Sequence, residues 1–67
     1  MGTESEIYRT ANLLIEEYGE MAAPAAFIRA DQMYERGDMP GRRVWLRIAK
    51  IAEDLSSEHI PGSSSIH

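Results

Sequence analysis

The chain has 67 residues, no cysteine and a net charge of −4. That length allows a single domain. The lack of cysteine excludes a disulfide framework and a thiolate metal site, and the acidic balance weighs against a general nucleic-acid binder.

The N-terminal Met1-Gly2-Thr3-Glu4-Ser5-Glu6 is acidic and lacks an apolar run, unlike a secretory signal. Thr3 and Glu6 have capping-box spacing, in which a hydroxyl caps a helix and a carboxylate three residues on reaches back. The helix predicted after them carries Ile7, Tyr8, Ala11, Leu14, Ile15 and Tyr18 at spacings of three and four, which form one apolar stripe. Gly19 ends it, because glycine accepts the left-handed backbone that follows a last turn.

A second helix is predicted from about Glu20 to Ala22 onward, so that Pro24 falls in the first turn, where its missing N–H costs nothing. Its stripe is Ala23, Ala26, Phe27, Ala30, Met33 and Tyr34, and its alanines invite a close neighbour. Arg36 and Gly37 mark its end. Asp38 is the N-cap candidate for a third helix, with Pro40 in its first turn. That helix carries Val44, Trp45, Ile48, Ile51, Ala52 and Leu55 and is the most periodic of the three. Ser56 and Ser57 weaken it, and Ile60-Pro61-Gly62 followed by three serines breaks it.

Both connections are short and contain glycine, which suits consecutive helices packed side by side. The expected fold is all-α: a three-helix bundle over residues 1–57, with a flexible, disordered tail over 58–67. Phe27, Trp45, Ile48, Leu14 and Ile51 are its expected core. No stretch approaches the ~20 apolar residues that cross a bilayer, so the expected setting is cytoplasmic with no membrane contact.

The segments Leu14-Ile15-Glu16-Glu17-Tyr18-Gly19, Arg29-Ala30-Asp31, Gly37-Asp38, Gly41, Val44-Trp45, Arg47-Ile48 and Ala52-Glu53-Asp54-Leu55 together carry a resemblance. Over about residues 7–55 the chain resembles a family of short uncharacterised bacterial helical proteins, a domain of unknown function. In that family histidine commonly precedes the first glycine, where Tyr18 stands here, and the positions of Arg42 and Arg43 are commonly uncharged. The resemblance implies a small helical fold and brings no activity or ligand.

Two sets of residues are candidates for function. The charge is uneven: residues 1–38 hold eight acids against three bases, a sum of −5, and residues 39–67 hold four bases against three acids, a sum of +1. All four of those bases, Arg42, Arg43, Arg47 and Lys50, lie in one acid-free run. A positive face on the third helix, after a short turn, resembles a helix-turn-helix and makes nucleic acid the alternative partner. The plainer reading has these bases facing Glu16, Glu17 or Glu20 of the same chain, or water.

The second set is apolar. Leu13, Ile28 and Leu46 each lie off the core stripe of their helix, and Trp45 sits at a stripe edge where it widens a contact that includes Leu46. One exposed leucine needs no explanation, but one such residue per helix in so small a chain points to a second contact. The expected function is a small protein-interaction module, a homodimer or an adaptor.

Catalysis finds no footing. Glu16-Glu17 and Glu53-Asp54 are adjacent pairs whose side chains diverge by about 100° on a helix. Asp31 and Glu35 share a face at i, i+4 but have no histidine near them, and His59 and His67 lie in the expected tail. No glycine-rich phosphate loop is present. The chain reads as non-enzymatic, with no catalytic, cofactor or metal residue and no small-molecule substrate.

Overall fold

A computed structural model describes residues 3–59. Helix α1 spans Glu4–Tyr18, a single 3-10 turn covers Gly19–Met21, α2 spans Ala22–Glu35 and α3 spans Met39–His59. There is no strand among the described residues, so the chain is all-α. Helix α3 runs two residues past the expected end of the folded part, because Ser56 and Ser57 lower helix propensity without breaking the helix. Residues 60–67 of the expected tail lie outside the described residues.

The helix ends follow from local chemistry. Thr3 caps α1, its Oγ1 accepting from the Glu6 N–H at 3.3 Å. Gly19 closes α1 at φ 57°, a conformation that favours glycine, and its N–H donates to the Ile15 carbonyl. Helix α2 begins at Ala22, which puts Pro24 in its first turn. The α2–α3 connection is a Schellman turn: Asp38 N–H donates to the Met33 carbonyl at 2.8 Å and Gly37 N–H to that of Tyr34 at 2.9 Å. Gly37 takes φ 79° there. Asp38 then caps α3, its Oδ1 accepting from Gly41 N–H at 2.9 Å.

The helices are unequal partners. Contact is most extensive between α2 and α3, smaller between α1 and α3, and smallest between α1 and α2. Arg42 of α3 meets Tyr34 of α2, and Trp45 meets Arg29. Position rises along one helix as it falls along the other, so α2 and α3 form an antiparallel hairpin. Helix α1 lies on that hairpin with less contact, so the chain is all-α but does not form the clear three-helix bundle expected from the sequence.

The core explains the asymmetry. Among the described residues, the buried ones are Ile7, Ile48 and seven alanines: Ala11, Ala22, Ala23, Ala26, Ala30, Ala49 and Ala52. Alanines at 22, 26 and 30 repeat every four residues along one face of α2, so α3 can approach that face closely. Leu14, Val44, Trp45 and Ile51 pack against this centre while staying half-buried. No polar side chain is buried among the described residues.

Phe27, expected in the core, is 41% exposed. It follows Ala26 and is turned about 100° away from it. The interface is spaced for methyl groups, and a phenyl ring at its edge is pushed outward.

Candidate protein-interaction face

The expected apolar residues do not form one patch. Leu13 is 54% exposed on α1 and Ile28 is 58% exposed on α2. Ile28 is turned about 200° from Ala26, so it points directly away from α3. Leu46 is half-buried rather than opposite the stripe, because the buried arc of α3 is wide enough to reach Ala49, one turn further on and beside Leu46. Trp45 is also half-buried, with the Arg29 guanidinium 5.5 Å from its ring centre.

A different grouping emerges along the hairpin. Arg42 lies 5.6 Å from the centre of the Tyr34 ring, which places these two residues on the same flank of the α2–α3 pair. Phe27, Asp31 and Tyr34 stand at i, i+4 and i+7 on α2, so they share that flank. Arg42, Leu46 and Ala49 have the same spacing on α3. Helix α1 is on the other side: Glu4 pairs with Arg47, which is turned about 140° from Arg42 around α3. The flank facing away from α1 therefore carries Phe27, Tyr34 and Leu46, with Asp31 and Arg42 among them. Tyr34 is 59% exposed.

Helical periodicity alone assigned Phe27 and Tyr34 to the core stripe. The signal for their exposure was the alanine repeat beside them, which marks a contact too close to admit rings.

The basic residues are divided. Arg47 is held by Glu4, not by Glu16, Glu17 or Glu20. Both side chains of that pair are more than half exposed, so it contributes at most about 1 kcal/mol. Arg42 lies over Tyr34. Arg43 and Lys50 are exposed and have no ion pair among the described residues. The side-by-side packing of α2 and α3 also departs from a helix-turn-helix, whose two helices cross at about 90–120°.

A shallow pocket of about 260 Å³ opens beside the α2–α3 turn, lined by Met33, Asp38, Pro40, Gly41, Val44 and Trp45. The titratable group in this lining is Asp38, whose carboxylate already caps α3. The carboxylates of Glu16, Glu17, Asp31, Glu35, Glu53 and Asp54 are all exposed. Among the described residues no three histidine or acidic side chains gather into a metal-binding group, and no helix is long and apolar enough to cross a membrane.

No family of known proteins, no curated protein and no solved structure matches this chain.

Proposed function

We propose that this chain is a small protein-interaction module, cytoplasmic and non-enzymatic, whose three helices form an incompletely closed bundle. One observation carries the reading: the buried core is almost all alanine, while several large apolar side chains stay exposed. Among the described residues, Ile7 and Ile48 are the large residues of the buried core, while eight large hydrophobic or aromatic side chains are exposed, at 38% to 60% of their area. A core of methyl groups buries little apolar surface per residue, at about 25 cal/mol per Å². So small a domain has little stability to spare. Covering Phe27, Tyr34 and their neighbours with another protein surface would add the burial that the chain lacks.

The test is capture of a binding protein by the immobilised chain, compared with a Phe27→Ser, Tyr34→Ser variant of unchanged helix content. The proposal expects a discrete bound protein, either a second copy or another chain, that the variant loses. Equal retention by both, or none by either, overturns it.

The nucleic-acid alternative draws on Arg42, Arg43, Arg47 and Lys50. Two of these four are already engaged within the chain, which leaves Arg43 and Lys50. Two phosphate contacts give only a shallow dependence of affinity on salt. Failure to bind a duplex at low ionic strength ends this reading.

A further inference from the structure

We infer that the partner covering the α2–α3 flank is a second copy of this chain, related by a two-fold axis parallel to the helices, with Asp31 of each copy meeting Arg43 of the other. The inference rests on the interaction reading above and names its partner. The argument is charge complementarity at matched heights.

Heights along the hairpin are set by two contacts. Tyr34 is level with Arg42 and Arg29 with Trp45. Paired positions therefore sum to about 74–76, so Asp31 is level with the stretch from Arg43 to Trp45, and Phe27 with the stretch from Arg47 to Ala49, which begins one residue past Leu46. Asp31 stands between Phe27 and Tyr34 on the exposed flank. Arg43 precedes Leu46 by three residues and lies about 60° from it around α3, at the outer edge of the flank and about 40° from Arg47. Both are exposed, and neither has an ion pair among the described residues.

A two-fold axis along the helices, lying in the contact plane between α2 and α3, preserves height and exchanges left for right. Helix α2 of one copy then lies on α3 of the other. Asp31 faces Arg43 of the second copy at the same height, and Phe27 packs onto its Leu46. Both contacts occur twice, as an isologous interface requires. The product is a four-helix arrangement with one α1 on each outer side.

Helix α2 is about 21 Å long. The face is therefore smaller than a standard interface, and dissociation in the micromolar range is expected.

Sedimentation equilibrium on the full chain, from about 1 to 300 μM, tests this with a charge exchange. The wild type is expected to pass from monomer to dimer. Asp31→Arg alone and Arg43→Asp alone should each weaken the dimer about tenfold or more, because two-fold symmetry makes each change count twice. The double variant should recover most of the loss. Far-UV circular dichroism on each variant guards against unfolding, and both positions are exposed. A wild type that stays monomeric at 300 μM overturns the inference, and so does a dimer indifferent to the single changes or not restored by the double. If the chain is monomeric yet captures another protein through Phe27 and Tyr34, the second copy is refuted and the interaction reading stands.

Discussion

Gly41 lies in the first turn of α3, and its role there is to leave room for the cap. A Cβ built at this position would stand 2.6 Å from Asp38 Oδ2, 2.9 Å from Cγ and 3.1 Å from Oδ1. All three distances are shorter than ordinary contact, so the whole carboxylate would have to turn aside. Turning it breaks the 2.9 Å bond from Gly41 N–H to Oδ1. Gly41→Ala therefore combines opposing effects. Alanine gains up to about 1 kcal/mol in helix propensity, and loss of the cap costs about 0.5–2 kcal/mol. The net change is expected to be near zero or mildly destabilising.

Asp38→Ala loses the cap alone and should cost about 1 kcal/mol, a fall in Tm of about 4–8 °C. With the carboxylate gone, Gly41→Ala has nothing to displace and should stabilise by up to about 1 kcal/mol. A double-mutant cycle by urea unfolding, at one protein concentration, should show about 1 kcal/mol of coupling. If Gly41→Ala has the same effect with and without Asp38, the steric account is wrong.

Two further outcomes follow from the core. Ile48→Ala empties the largest fully buried side chain and should cost about 2–5 kcal/mol, whereas Phe27→Ala, at a half-covered edge, should cost well under half of that in a dilute monomer; thermal unfolding of both variants makes the comparison. Ala26→Leu forces a branched side chain into the close α2–α3 contact and should destabilise by about 1–3 kcal/mol despite leucine's good helix propensity. An Ala26→Leu protein as stable as the wild type would mean that the hairpin is looser than described.

The helix ends were legible in the sequence because capping is a matter of neighbours. Thr3 with Glu6, Gly19 with Ile15, Gly37 with Tyr34 and Asp38 with Gly41 are all within four residues of each other, and each residue type states its own backbone requirement. The face of α2 was less legible. Its apolar residues from Ala23 to Tyr34 span an arc of roughly 120°, and periodicity alone does not say which edge of that arc a neighbour will choose. Close approach selected the alanine edge, which turned Phe27 and Tyr34 outward. The Glu4–Arg47 pair joins residues 43 positions apart and depends on how α1 lies against α3. No local pattern encodes that register, so the fate of the basic run was not readable from its own residues.

An alanine-lined core in a protein with exposed rings has a thermodynamic consequence. If a second copy covers the α2–α3 flank, part of the folding free energy comes from association, and stability depends on concentration. A binding partner at a hundred times its dissociation constant adds about 2.7 kcal/mol. For a domain of this size each kcal/mol moves Tm by about 4–8 °C. Dilution from far above the dissociation constant to below it should therefore lower Tm by on the order of 10 °C. Phe27→Ser should remove most of this dependence, leaving a transition that is low and flat with concentration. Calorimetry at high concentration and circular dichroism at low concentration cover the range. A wild-type Tm that does not move over two decades of dilution would mean that the methyl-lined core and its half-buried rim stabilise the monomer unaided, and the exposed rings would then need a partner other than this chain.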